Sequence, residues 1–191
     1  MILFGFGNGS RSHSCNIRHT VNEGLPGCSS PVVSTGGIRG AARRRAAWLD
    51  GMENLRTRTA LPSDVHAVLA FWKEAAEGTS ISDDVAGVTR LIERDGEALI
   101  LAERDGRLVG TVIAGWDGWR ASLYRLAVHP DQRRQGVSRV LLDAAHARFL
   151  AAGGRRADAM VLVENETGQA AWAAAGYERE EHWRRWVRPL A

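Results

Sequence analysis

The chain of 191 residues is long enough for one domain, or at most two, and its 45% content of hydrophobic residues is sufficient to bury a core. The net charge of +3 is unevenly placed, because residues 1–51 contain six arginines against Glu23 and Asp50 and carry +4, which leaves residues 52–191 at −1. A near-neutral body argues against nucleic-acid binding, which needs a broad basic face. No apolar run reaches the roughly 18 residues that a membrane span requires.

The N-terminal part differs in composition from the rest of the chain. Both cysteines, Cys15 and Cys28, lie there, and their spacing indicates no disulfide framework and no zinc or other metal site. A cysteine-free body is typical of the reducing cytoplasm. Residues 1–51 are rich in Gly, Ser and Arg without periodicity, so we expect a disordered extension. It is either a targeting peptide or an error in the start site, with Met52 as the true beginning of a domain at 52–191.

The first half of this domain alternates strand and helix signals. A strand that begins at Leu55 is followed by Pro62-Ser63-Asp64, which is typical of a helix start, and then by apolar residues at helical spacing. Ser82 is the predicted cap of a second helix. The pair Asp105-Gly106, between two apolar runs, predicts a hairpin.

The second half continues the alternation. The patterns predict a fourth strand at 124–128, a third helix at 137–151, a fifth strand at 157–163, a helix at 168–175 and a final strand at 177–187. The resulting order is strand, two helices, three strands, helix, strand, helix, strand. Such an order predicts an α/β fold (an α+β mixed sheet) with helices on its faces.

The turn between the fourth strand and the third helix is the most informative stretch. It reads Arg133-Arg134-Gln135-Gly136-Val137-Ser138. A glycine at a strand-to-helix turn lets the backbone approach a ligand closely, and the first N–H groups of the helix then point at the ligand with the positive end of the dipole behind them. Two arginines beside these groups strengthen the prediction of an anion site.

The motif Arg133-x-x-Gly136-x-Ser138 resembles the Arg/Gln-x-x-Gly-x-Gly/Ala signature of the GNAT superfamily of acyl-coenzyme A dependent N-acetyltransferases. Residues 161–165 look like its fifth strand ending in an asparagine, and residues 172–177 look like its Tyr-x-x-x-Gly-Phe/Tyr closure. Residues 115–120 resemble the Gly-x-Asp-Gly-x-Arg loop of a small bacterial subgroup. The resemblance covers about residues 52–191. It implies a mostly antiparallel central sheet with splayed fourth and fifth strands.

The resemblance also implies acetyl-coenzyme A as co-substrate. Its pantetheine arm would lie along the fourth strand, where the Val128 N–H would polarise the carbonyl group, and its pyrophosphate would contact the turn after that strand. Asn165 would contact the cofactor as well, although its position also suits a helix cap. The implied cofactor-binding residues are Leu126, Ala127, Val128, Arg133, Arg134, Gln135, Gly136, Val137, Ser138, Asn165 and Trp172.

The acid and the base are less clearly indicated. Trp172 stands where the family usually places the tyrosine that protonates the departing thiolate, and an indole N–H does not ionise usefully. We therefore expect Trp172 to pack beside the cofactor and keep Tyr124 as a substitute acid. The fourth strand has no carboxylate, so the base candidates are Asp117, which also suits a turn before Gly118, and Glu164, which also suits a surface position.

The expected function is transfer of an acetyl group from acetyl-coenzyme A to a primary amine of unknown identity by direct attack. One alternative is a protein N-terminal acetyltransferase acting on a peptide N-terminus. Another is a non-catalytic module that binds acyl-coenzyme A for regulation. We expect a cytoplasmic monomer or homodimer with no nucleic-acid, membrane or metal partner.

Overall fold

The structure, a computed structural model, describes residues 54–76, 78, 80–188 and 190. Its elements follow the order strand, two helices, three strands, helix, strand, helix. Short 3-10 turns at 62–64 and 130–132 precede the first and third helices. The strands are β1 Leu55–Thr59, β2 Leu99–Arg104, β3 Arg107–Trp116, β4 Ala121–Val128 and β5 Ala157–Ala159; the helices are α1 Val65–Ala75, α2 Val85–Arg94, α3 Val137–Ala151 and α4 Glu166–Ala174.

The five strands form one sheet in the order β1-β2-β3-β4-β5. The first four are antiparallel neighbours, and β5 joins β4 in parallel. This last pairing ends at Leu123 opposite Ala159, whereas β4 continues to Val128. Over its final residues β4 therefore has no strand on its outer side in the described part of the chain, and a cleft opens between the two strands. The mixed sheet with splayed fourth and fifth strands is confirmed.

The helices cover both faces of the sheet. Helices α1 and α2 bury Val68, Trp72 and Ile92 against one face, and α3 buries Leu141 and Phe149 against the other. These side chains recur at the helical spacing of three and four residues that the sequence shows, so each helix presents one apolar stripe to the sheet. The sheet separates the two cores, so α3 lies on one face of the sheet and the α1–α2 pair lies on the other.

Gly110 in β3 determines how closely α3 approaches the sheet. A Cβ atom added at Gly110 would lie 2.7 Å from Cγ1 of Val137 and 2.9 Å from Cδ1 of Leu141. Both distances are shorter than ordinary carbon contacts, so only glycine fits without moving the helix. Since Val137 is the first residue of α3, Gly110 sets the position of the helix N-terminus.

A β-bulge interrupts β4 beside the cleft. Thr111 pairs with Ala127 and Ile113 pairs with Tyr124, so one residue of β3 lies opposite two residues of β4. Arg125, one of those two residues, has φ of 50°. A non-glycine residue rarely adopts this left-handed conformation, and a bulge bends and twists the strand that carries it.

The predicted hairpin and the starts of the first helices are largely confirmed. Asp105 (φ 51°) and Gly106 (φ 74°) form the two-residue turn between β2 and β3, as an Asp-Gly hairpin turn requires. The 3-10 turn at 62–64 leads into α1, as the sequence predicted. The expectation that Ser82 caps the second helix is wrong, because Asp84 occupies the cap and its carboxylate accepts the N–H of Gly87 at 2.6 Å.

The end of the domain differs from expectation. The fifth strand stops at Ala159 instead of 163, because β4 turns away and leaves nothing to pair with. The predicted final strand at 177–187 is absent, although all of these residues are described. Within this range, Trp183 and Trp186 are exposed. A three-residue β5 offers only a short edge for a further strand to join.

Two other expectations concern the whole chain. Residues 1–51, the predicted disordered extension, lie outside the described residues, as does Met52. Within the described part, no helix combines the length and the apolar character needed to cross a bilayer.

We predict that Gly110→Ala lowers the free energy of unfolding by about 1–3 kcal/mol, because the new methyl group overpacks the contact between α3 and β3. Urea denaturation would measure the change. Gly96→Ala is the matched control, since its added Cβ would meet nothing closer than the Ile92 carbonyl oxygen at 3.8 Å. Equal stability of the Gly110→Ala variant and the wild type would contradict the proposed close approach.

Candidate active site

The cleft exposes the backbone of β4. The His129 N–H donates to the Val109 carbonyl of β3 at 3.0 Å. Because backbone groups of successive strand residues point to opposite sides, the N–H and C=O of Val128 point into the cleft. The Nε–H of Arg133 donates to the Val128 carbonyl oxygen from that side at 3.3 Å. The end of β4 thus offers a backbone N–H in the cleft with a guanidinium group nearby.

The turn after β4, residues 133–138, has the backbone geometry of an anion cradle. Arg134 (φ 63°) and Gly136 (φ 82°) both adopt left-handed conformations that turn the chain sharply into α3. Gly136 is the N-cap residue of α3, and no side chain caps the helix. The first N–H groups of α3 therefore remain available to an anion, which the helix dipole also favours.

Side chains from outside the turn hold the cradle in shape. The Arg104 guanidinium at the end of β2 donates to the side-chain oxygens of Gln132 and Gln135, the second at 2.5 Å. The Gln135 amide also donates to the Asp131 carbonyl at 2.8 Å. The Gln135 side chain is thus used within the protein. Sequence reasoning missed Arg104, because no local pattern links it to a turn about thirty residues later.

Asn165 and Trp172 lie on the other side of the cleft, at and within α4. The Asn165 side chain accepts the Gly168 N–H at 2.7 Å, which confirms its position as a helix cap. The Trp172 ring packs edge-on against Tyr177, with centroids 4.8 Å apart. The Tyr177 hydroxyl in turn contacts Nε2 of His146 at 2.7 Å. Trp172 is therefore part of a packed aromatic cluster, and its expected place beside the cofactor stays a prediction.

Tyr177 is held in its protonated form. Burial, and secondarily the charge of Asp158, raise the pKa of Tyr177 to about 12. A phenol with so high a pKa keeps its proton at neutral pH. Its contacts with His146 and Trp172 give it a structural place between α3 and α4.

Tyr124 lies on the face of β4 that α1 and α2 cover, and it is 46% exposed. Its ring lies over Gly115 of β3, where an added Cβ atom would be 3.3 Å from Cε2 of Tyr124. The hydroxyl group is thus carried by the strand that lines the cleft. The ring thus leans over β3, and the assignment of Tyr124 as the acid stays a prediction.

The two candidate bases have different surroundings. The Asp117 carboxylate accepts the N–H groups of Arg120 at 2.6 Å and Trp119 at 2.8 Å, and these bonds lower its pKa. Both contacts belong to a turn, so the base assignment of Asp117 gains no support. Glu164 is exposed in the connection between β5 and α4, beyond the strand end at which we expected it. Its role as base stays a prediction.

Most of the predicted site residues flank the cleft. The end of β4 and the cradle lie on one side of the opening between β4 and β5, the start of α4 follows β5 on the other side, and Asp117 sits in the β3–β4 turn. A sheet of this topology with an anion cradle after its fourth strand defines a class of acyl-transferring enzymes. The residues placed at the cleft or cradle are Tyr124, Leu126, Ala127, Val128, Arg133, Arg134, Gln135, Gly136, Val137, Ser138 and Asn165.

Comparison with known proteins agrees with this class. The sequence profile of the acetyltransferase (GNAT) family matches residues 65–177, and the chain belongs to that family. An acetyltransferase of Pectobacterium atrosepticum is 30% identical over 115 residues, which cover 60% of this chain and 82% of the relative. The protein is thus an acetyl-transferring enzyme.

Two solved structures share the fold. The ribosomal-protein-S18-alanine N-acetyltransferase of Escherichia coli superposes with a TM-score of 0.54 and 19% identity, covering 64% of this chain and 76% of that chain. The acetyltransferase AAC(6')-Iy, in complex with a bisubstrate analogue that contains coenzyme A, superposes with a TM-score of 0.59 and 20% identity, covering 71% and 99%.

We predict that Gly136→Glu weakens coenzyme A binding about tenfold or more beyond the effect of Gly136→Ala. Both variants strain the backbone at a φ of 82°, but only glutamate adds a negative charge at the helix N-terminus. Calorimetric titration with coenzyme A would measure the difference. Equal affinity of the two variants would remove the cradle as the anion site.

We predict that Asp117→Ala destabilises the protein at neutral pH and that the difference becomes smaller in acid. Because its folded-state pKa is lowered, the carboxylate stabilises the turn above its unfolded pKa of about 3.9, and this effect is lost as the pH falls through the folded value. Urea denaturation from pH 7 to pH 3 would test this, with Asp143→Ala as the control. A difference that does not change with pH would show that the charge has no part in the turn.

Proposed function

We propose that this enzyme transfers an acetyl group from acetyl-coenzyme A to a primary amine by direct attack. The observation that carries the proposal is the uncapped N-terminus of α3 at Gly136, immediately after the open edge of β4. The helix N-terminus suits a pyrophosphate, and the open strand edge suits an extended chain with amide groups. Their succession along the chain matches the order of these parts in coenzyme A.

The residues present fit this co-substrate. Backbone N–H groups of the cradle, together with Arg133 and Arg134, would hold the pyrophosphate, since arginine and helix N-termini both favour phosphate oxygens. Leu126, Ala127 and Val128 would bind the pantetheine arm as a further strand partner of β4. Asn165, which caps α4 on the far side of the cleft, would make an additional contact.

The chain's own groups would act on the acetyl group and the amine. Acetyl-coenzyme A, when bound, supplies the acyl group as a thioester. The Val128 N–H, which points into the cleft, would donate to the carbonyl oxygen as negative charge develops there. The sheet holds this N–H in place before the reaction, so little reorganisation is needed.

Protonation of the departing thiolate requires little assistance. With a thiol pKa of about 8.5, its release as thiolate near pH 7 costs only about 2 kcal/mol. Tyr124 is the proposed donor, because it lies on the same strand as Val128 and its ring is partly exposed. Trp172 has no acid to offer and would contribute by packing.

A protein N-terminus is the second candidate acceptor. An α-amino group has a pKa of about 7.7–8.0, whereas a lysine-type amine has about 10.4, so a larger share of the α-amino group is unprotonated at neutral pH. Glu164 is an exposed candidate base, and an α-amino group needs less help from a base than a lysine-type amine does. The α-amino group therefore suits this enzyme better. The shared fold with an N-acetyltransferase of ribosomal protein S18 also supports this alternative.

An amine panel tests the proposed function. Purified protein would be mixed with acetyl-coenzyme A and with phenethylamine, spermidine, kanamycin or an alanine-initiated hexapeptide, and free thiol and product mass would be followed. Gly136→Glu serves as the control with a damaged cradle. Coenzyme A binding without product from any amine would contradict acetyl transfer to these classes, whereas absence of coenzyme A binding would contradict the cradle.

We predict that Glu164→Gln lowers kcat/KM by about 10²–10⁴ if Glu164 is the base, and that the acidic limb of the pH profile disappears. The reason is that a base must be unprotonated to accept the amine proton. Asp117→Asn is the matched control and should keep the limb, because its carboxylate is occupied in a turn. Full activity of Glu164→Gln would show that the amine arrives unprotonated or loses its proton to water.

A further inference from the structure

Arg125 stands out among the residues that the catalytic proposal leaves unused. It lies at the β-bulge of β4, and its side chain is 12% exposed. The guanidinium forms an ion pair with Asp83 through Nε, at 3.0 Å, and through Nη2. Its Nη1 donates to the Gly78 carbonyl at 3.1 Å. All three nitrogens thus have partners in the segment between α1 and α2.

The backbone of Arg125 is hydrogen-bonded to the core, in addition to the contacts that its side chain makes with that segment. The buried Thr111 hydroxyl donates to the Arg125 carbonyl at 3.0 Å and accepts the Trp72 indole N–H at 2.9 Å. The Trp72 ring lies 5.6 Å from the Arg125 guanidinium, within range of a cation–π contact. Arg125, Thr111 and Trp72 therefore close a ring of contacts through α1, β3 and β4.

Asp83 also contacts its own neighbours in the chain. Its carboxylate accepts the Ser80 N–H at 2.8 Å, so the group that binds Arg125 also shapes residues 80–83. Gly78 approaches the connection after β5, since a Cβ atom added to it would lie 3.4 Å from Cδ1 of Leu162. The α1–α2 connection thus reaches from the bulge of β4 towards the far side of the cleft.

We propose that Arg125 is a positioning residue that holds residues 80–83 in place as the acceptor-side wall of the cleft. This assignment rests on the acetyltransferase function proposed above. The guanidinium is not assigned to bind the amine, because each of its three nitrogens already contacts Asp83 or Gly78 and a positive charge repels a protonated amine. It acts through the segment it holds, on the face of β4 that carries Tyr124.

The location of Arg125 separates its effect from cofactor binding. The cradle at 133–138 is held by a different arginine, Arg104, through Gln132 and Gln135. Loss of the Arg125 contacts should therefore loosen the acceptor side and leave the anion site unchanged. A residue that supported the fold in general would affect both.

The main variant is Arg125→Met, which keeps an aliphatic stem against Trp72 and removes the charge. We expect backbone amides of residues 80–84 to exchange hydrogen about tenfold faster or more, with α3 amides unchanged. For the panel amine that the wild type acetylates, KM should rise about tenfold, while kcat changes less and coenzyme A affinity stays within about twofold. Arg179→Met is the control, because its Arg179–Glu181 pair is exposed and local.

Two further variants identify the partner. Arg125→Lys keeps the charge but loses the forked geometry, so its exchange rate and KM should fall between those of the wild type and Arg125→Met. Asp83→Asn should reproduce the effect of Arg125→Met, and the double variant should be no worse than either, because the two residues act as a unit. Asp83→Asn also keeps the test informative if Arg125→Met fails to fold, since Asp83 lies outside the core.

The outcomes are distinguishable. Wild-type exchange at residues 80–84 in Arg125→Met and Asp83→Asn would overturn the positioning role. So would a loss of coenzyme A affinity as large as the rise in KM. If the wild type acetylated no panel amine, the acetyl-transfer proposal would fail for these amines, and the exchange rates would still decide whether Arg125 holds the segment.

Discussion

The separation of β4 from β5 is the constraint on which the site depends. As long as the two strands pair, through Leu123 and Ala159, the backbone of β4 is used within the sheet. Beyond that point its outer groups have no strand to pair with among the described residues, and the Val128 carbonyl accepts from Arg133 instead. A ligand with amide groups of its own can pair with these groups. The cleft is thus a gap in the sheet that the proposed co-substrate would complete.

Other features of the structure position the elements around that gap, and they do so separately on the two faces of the sheet. Gly110 sets the depth of α3 and hence the position of the anion cradle, and Arg104 shapes the turn that leads into it. On the opposite face, the β-bulge at Arg125 directs the strand and its side chain towards the α1–α2 connection. The donor side and the acceptor side of the proposed site therefore have separate supports, through Arg104 and Arg125.

The sequence predicted those parts whose signal is local. Helix periodicity, the Asp105-Gly106 turn and the glycine turn before α3 each act over a few residues, and all appear where they were expected. The ends of β5 and the missing final strand could not be predicted, because pairing depends on whether a neighbouring strand is present. The contacts of Arg125 and Arg104 join residues 42 and 28 positions apart, and no pattern in the sequence marks them.

Thr111 bears on how the chain finds its register during folding. Its hydroxyl, fully buried in β3, joins the Trp72 indole to the Arg125 carbonyl. A slip of β4 by one residue along β3 would turn the side chains of β4 to the opposite face and move the Arg125 carbonyl away from the Thr111 hydroxyl, which would then lose its acceptor. An apolar residue in place of Thr111 would tolerate such a slip more readily, because it needs no hydrogen-bond partner. The threonine thus makes the misaligned sheet unfavourable and selects the one alignment in which the bulge falls at Arg125.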